Sequence, residues 1–222
     1  GPQQQNRPQD GGWQEPVTSD SATESMKALK AGASLIIKGG EFSLNAQDDA
    51  IHSNGEVIIE NGTLTMTAGD DGVHADNSVL IKAGEINILQ SYEGLEGKAV
   101  TIDGGTINIT ASDDGINAAS GAAAAGNREA AQEGVTVTIN GGTVKVIAGF
   151  DGIDSNGTIA INGGAVDLTS QRGGGGTAAI DASGGYTHTG GEVTTNDGSE
   201  AGMGMPGGQG FGPQGNQPPR RR

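Results

Sequence analysis

EVIIENGTLTMTAGDDGVHAD, residues 56–76, carries the plan of the whole fold. Apolar residues alternate with polar ones at Val57 and Ile59, a glycine follows at Gly62, and alternation resumes at Leu64. An Asp70-Asp71-Gly72 turn then leads to Val73. A period of two marks strands with one buried face, and the glycines mark the bends between them.

The pattern recurs on both sides. SLIIKGGEFSLNAQDDAIHSN precedes it at 34–54, and SVLIKAGEINILQSYEGLEG follows at 78–97. AVTIDGGTINITASDDGINAA covers 99–119, TVTINGGTVKVIAGFDGIDSN 136–156, and TIAINGGAVDLTSQRGGGGTAAIDA 158–182. A half-repeat opens the series at 26–32 and a degenerate one closes it from Tyr186. Self-similarity with a period of about 22 residues points to stacked repeats. The expected fold is all-β, a right-handed single-stranded parallel β-helix with three short strands per coil. Leucine-rich repeats have a comparable period, but their asparagine ladder and helical return segment are missing.

Aligning the repeats predicts four inward ladders. Leu35, Val57, Val79, Val100, Val137 and Ile159 form the first, and Ile37, Ile59, Ile81, Ile102, Ile139 and Ile161 the next. Phe42, Leu64, Ile86, Ile107, Val144 and Val166 line the second strand, and Ile51, Val73, Leu95, Ile116, Ile153 and Ile180 the third. Such a thin aliphatic core suits a chain with 42 glycines and only 3% aromatic residues. Gly40, Gly62, Gly84, Gly105, Gly142 and Gly164 fall at the corner between the first two strands.

The expected organisation is a disordered Gln/Pro/Gly-rich leader at 1–24, the repeat domain at 25–198 and a disordered Gly/Pro-rich tail at 199–222. An insertion at 120–133 separates two full repeats. Because the chain opens within a repeat, a fragment or cut form of a longer chain is expected. Trp13 in the leader and Arg220, Arg221 and Arg222 in the tail receive no function.

A net charge of −15 argues against nucleic acid and anionic membrane surfaces and favours cations. There is no cysteine for a disulfide or thiolate site, and no run of about 20 apolar residues. The acids are not scattered. Asp49, Asp71, Glu93, Asp114 and Asp151 occupy one position of successive repeats, with Asp48, Asp70 and Asp113 just before it. His52, His74, Glu96, Asn117, Asp154 and Asp181 occupy the position after the third-strand aliphatic residue. Strands about 4.8 Å apart would force these carboxylates together, with repulsion of roughly 3 kcal/mol per pair at an effective dielectric near 20. Calcium, hard and tolerant of irregular oxygen coordination, is the expected ion, with ligands drawn from Asp71, Glu93, Glu96, Asp114, Asp151 and Asp154, not necessarily all in one sphere. The plainer reading is turn chemistry, in which each Asp bonds a backbone amide two residues on. In the distinctive repeat SYEGLEG, Tyr92 supplies the aromatic in the middle of the edge, and Tyr92 and nearby Lys98 are the expected ligand contacts.

The succession DDAIHSNG, DDGVHAD, SYEGLEG, DDGINAA and DGIDSNG resembles a family of secreted bacterial carbohydrate-binding β-helix proteins, similar in fold to pectate-lyase-like enzymes. The match runs from about Ser25 to Asp181. The resemblance implies calcium binding, attachment to polysaccharides including acidic ones, and a location outside the cell or at its surface. It leads to a non-catalytic, calcium-dependent binder of acidic plant cell-wall polysaccharide. On this reading, changing Glu93 and Glu96 together to Gln removes binding. Two alternatives stand beside it. One is a calcium-dependent polysaccharide lyase with Lys98 as proton acceptor, the other a structural or adhesive surface rod.

Overall fold

The computed structural model describes residues 26–120, 130–172 and 176–201. Among them every paired strand is parallel to its neighbours, so the chain is all-β. The one helical element among the described residues is a 3₁₀ turn at Ser199–Ala201, and no helix there is long and apolar enough to cross a membrane. Residues 1–24, most of the expected tail and residues 121–129 of the insertion lie outside the described residues.

Strands pair with their equivalents one repeat away. A seven-stranded sheet collects the middle segment of each repeat, from Glu41–Asn45 to Glu192–Thr195. A twelve-stranded sheet collects the other two segments. Those two columns join because Val73–Ile81 and Leu95–Ile102 run unbroken from the third segment of one repeat into the first segment of the next. Where the chain has Asn54-Gly55 or Asn156-Gly157 at that junction the strand breaks, and where it has Asp76-Asn77 or Gly97-Lys98 it continues. Three strand segments per repeat therefore form two sheets.

All four expected ladders are present. Val57 pairs in register with Leu35 and Val79, Ile59 with Ile37 and Ile81, Leu64 with Phe42 and Ile86, and Val73 with Ile51 and Leu95. The register persists across the insertion, where Ile116 pairs with Ile153 and Val100 with Val137. From Ile51 to Ile161 the ladder residues are fully buried and form one core, whereas Leu35 and Phe42 in the first full repeat are half-buried. Burying each such side chain contributes about 1.5–3 kcal/mol, so repetition builds the core without large aromatic residues.

The corner column needs glycine for two reasons. Gly84 has φ +108°, a region that L side chains rarely adopt, and a Cβ there would lie 2.6 Å from the carbonyl oxygen of Gly62. That carbonyl accepts the amide of Glu85 at 2.8 Å, so the corner is also a rung between repeats.

The C-terminal edge is closed by side chains. Asn196 bonds the Ser170 backbone at both its oxygen and nitrogen, Asp197 accepts from Ala179 N at 2.8 Å, and Ser199 Oγ from Ile180 N at 3.0 Å. These contacts satisfy amides that the next repeat would otherwise take, which blunts an exposed sheet edge. Ser199 is buried in the 3₁₀ turn at Ser199–Ala201, so the packed structure continues past the boundary expected at 198.

Candidate functional site

The Asp-Asp-Gly turn and the short strand after it place two polar columns along one edge. Strand register puts Lys30, His52, His74, Glu96, Asn117, Asp154 and Asp181 side by side in successive repeats. Three residues before each of these lies a second column, reading Lys27, Asp49, Asp71, Glu93, Asp114, Asp151 and Ala178. Asp49, Asp71, Asp114 and Asp151 are all buried. Their backbone bonds run between repeats and not to an amide two residues on. Asp49 Oδ1 accepts from Asp71 N at 3.3 Å, Asp114 Oδ1 from Asp151 N at 2.9 Å, and Asp151 Oδ1 from Ala178 N at 2.5 Å. One oxygen each of Asp49, Asp114 and Asp151 thus holds the next repeat.

The edge divides into two electrostatic halves. Towards the N-terminus the acids have cationic partners. Lys27 Nζ lies 2.8 Å from Asp48 and 2.5 Å from Asp49, and His52 Nδ1 lies 2.7 Å from Asp49. His74 Nδ1 contacts Asp71 at 3.0 Å and also Glu96 Oε2. The Asp71 and Glu96 carboxylates raise the His74 pKa to about 11, and His74 in turn lowers that of Glu96.

Towards the C-terminus no such partners exist among the described residues. Asp151, Asp154 and Asp181 present carboxylate oxygens within 4.8 Å of one another, as do Glu93, Asp113 and Asp114. Burial, reinforced by the neighbouring acids, pushes Asp151 and Asp154 up to about 7 and Asp114 up to about 6. Burial likewise pushes Glu93 up to about 8, against the opposing effect of two hydrogen bonds from Asn117 Nδ2 at 3.0 and 3.1 Å. Asn117 Oδ1 is buried with no hydrogen-bond partner among the described residues. A set of carboxylates beside an orphaned amide oxygen suits a hard divalent cation such as calcium, which takes six to eight oxygens in irregular geometry.

These raised pKa values fix the sign of a pH dependence. Between the unfolded carboxylate pKa near 4 and the folded values of about 6 to 8, the folded state binds more protons than the unfolded one. Stability therefore falls as pH rises through that window. In metal-free protein, unfolding free energy should drop by on the order of 3 kcal/mol from pH 5 to pH 8, after discounting for partial solvent screening. Chemical denaturation in chelator at the two pH values checks this, and saturating calcium should flatten the difference.

A family described as carbohydrate-binding domain-containing proteins matches residues 8–72 and 70–206. The chain belongs to this family. No curated protein and no solved structure matches it. The family makes carbohydrate the partner, and the acidic edge is the feature of this member with unusual chemistry.

The six expected ligands of this family member do not form one cluster. Asp71 and Glu96 belong with His74, Glu93 with Asp113 and Asp114, and Asp151 and Asp154 with Asp181. Asp181, aligned in its column by sequence but outside the expected ligand set, completes the cluster with Asp151 and Asp154. Tyr92 is about half exposed and lines a groove of about 310 Å³ with Asp71, His74, Glu93 and Glu96. Lys98 stands apart from that groove, where its Nζ would be 3.6 Å from a Cβ at Gly134. The amine at the groove is Lys27, whose role sequence alone did not suggest. Its signal was present, since it occupies the Asp49 position in the opening half-repeat.

Proposed function

We propose that this chain is a non-catalytic, calcium-dependent binder of acidic plant cell-wall polysaccharide, acting outside the cell or at its surface. The observation that carries the reading is the row of buried Asp114 and Asp151 and half-buried Asp154 and Asp181, which have no cationic partner among the described residues, with Asn117 Oδ1 likewise unpartnered there. A calcium ion there offsets two of the four charges in the row and leaves coordination positions for a sugar carboxylate. Without it, a chain of net charge −15 repels a polyuronate. Tyr92, exposed at the neighbouring groove, offers a ring face to a sugar.

The same reading includes the chain path. The two parallel sheets become the faces of a right-handed single-stranded β-helix. Its support is the consistent pairing one repeat away, together with the strong preference of parallel crossovers for the right hand.

Lyase chemistry needs a base poised at the metal-bound sugar. Lys98 lies away from the groove, and Lys27 is held by Asp48 and Asp49, which supports a binding role. The test is co-sedimentation with a panel of insoluble polysaccharides in calcium buffer. The protein should be retained on polygalacturonate and lose most retention on its methyl-esterified form, which lacks free carboxylates, with no unsaturated sugar ends released. Equal retention on the esterified polymer would remove calcium bridging from the account, and accumulation of unsaturated ends would establish the lyase.

A further inference from the structure

We infer that Asp71, His74 and Glu96 form a second metal site of different chemistry, one that takes a divalent first-row transition ion such as zinc. The site does not depend on the calcium reading, because it uses an imidazole nitrogen and lies in the other half of the edge.

The geometry at His74 carries the inference. Its Nδ1 lies 3.0 Å from Asp71 Oδ2 and also contacts Glu96 Oε2. A single Nδ1–H shared between two carboxylate oxygens makes two weak, bent bonds, whereas a cation that replaces this proton is bound by all three atoms. The three ligand atoms lie within 4.8 Å of one another. Zinc bonds of about 2.0–2.2 Å set tetrahedral ligand atoms roughly 3.3 Å apart, so the Asp71 oxygen at 3.0 Å is nearly in place and the closer Glu96 carboxylate has to swing outward. Two carboxylates balance the charge of the ion, and water completes the sphere.

The far side of the ring is arranged as for a metal ligand. His74 Nε2 faces Asp76 Oδ1 at 3.3 Å, so when a metal ion displaces the Nδ1 proton into solvent, the proton kept on Nε2 leaves the Nδ1 lone pair directed at Asp71 and Glu96. A carboxylate behind a ligating histidine fixes ring orientation and tautomer. His52 repeats the arrangement one repeat earlier, with Nδ1 at 2.7 Å from Asp49 and Nε2 at 3.1 Å from Asn54 Oδ1. The two rings stack at 4.9 Å, which holds His74 in this orientation from its other face. Asp76 belongs to the junction where the Asn-Gly turn is missing, so the continuous strand is what places it behind His74. Calcium does not suit this set, because it prefers oxygen ligands throughout.

The test is a cobalt(II) titration of chelator-stripped full-length protein, followed by visible absorption and by zinc displacement. Cobalt should produce d–d bands of a low-coordinate nitrogen–oxygen site, saturating at one equivalent and bleached by zinc but not by calcium. His74→Gln should abolish the bands, and Asp76→Asn, which keeps all three ligands, should weaken cobalt binding about 10–100-fold. Calcium affinity of either variant should match the parent, which separates this site from the Asp151 row. Only the pale spectrum of hydrated cobalt, or bands of equal strength in His74→Gln and parent, would overturn the assignment. If His74→Gln fails to fold, Asp76→Asn decides alone, and undiminished binding there counts against the site.

Discussion

Asp151→Asn combined with Asp154→Asn should make the calcium-free protein more stable at pH 8 and the calcium-saturated protein less stable. The opposite signs follow from the same charges. Both carboxylates are pushed up to about 7, mainly by burial, so keeping them ionised at pH 8 destabilises the fold. Asparagine has nearly the same shape, and its Oδ1 at position 151 still accepts the Ala178 amide. Removing both charges should therefore stabilise metal-free protein by about 1–3 kcal/mol, or roughly 2–12 °C in melting temperature for a chain of this size. In the parent, calcium at 1,000 times its dissociation constant adds about 4.1 kcal/mol by binding the folded state, and the variant forgoes this. Thermal unfolding of both proteins in chelator and in calcium should show the melting order reverse. A variant that melts below the parent in both buffers would mean that the acids act only as hydrogen-bond acceptors.

Gly115→Ala should be among the most damaging single changes in the repeat domain. An added Cβ would stand 2.1 Å from Val146 Cγ1 and 2.6 Å from the carbonyl oxygen of Gly152, in the next repeat. Neither can yield easily, since Val146 is fully buried and the Gly152 carbonyl accepts the Ile116 amide at 3.1 Å. Relief requires the two repeats to separate at the Asp114–Asp151 rung. A loss of about 3–5 kcal/mol is expected, or roughly 6–20 °C in melting temperature. Gly39→Ala is the control, because nothing lies within 4 Å of its added Cβ, and it should stay within about 0.5 kcal/mol of the parent. Equal effects at the two positions would contradict the packing of repeats described above.

The ladders were legible because each strand carries its own period and each repeat restates it. Ile59, Ile81 and Ile102 needed only alignment to be placed side by side. The corner glycines were legible for the same reason. What single repeats do not encode was missed. The fusion of strands at Val73–Ile81 depends on the absence of an Asn-Gly pair, which is conspicuous only against the neighbouring repeats. The division of the acidic edge depends on what lies beside each acid. Glu93 and Glu96 look alike in sequence, yet Asn117 donates to one and His74 contacts the other. That difference moves the expected calcium contacts away from Glu96 and towards Asp154 and Asp181. The closing Asn196-Asp197-Gly198-Ser199 cap was also missed, because its side chains replace backbone partners and leave no periodic trace.

The central claim is that calcium on the acidic edge links this chain to polysaccharide. Its most direct test is the binding isotherm of the full chain on polygalacturonate, measured at fixed pH and ionic strength as free calcium is varied. The account predicts that apparent affinity rises with calcium to a plateau, falls to background in chelator, and recovers far less with magnesium, whose octahedral preference suits this row poorly. Isotherms that superimpose in chelator and in saturating calcium would contradict it.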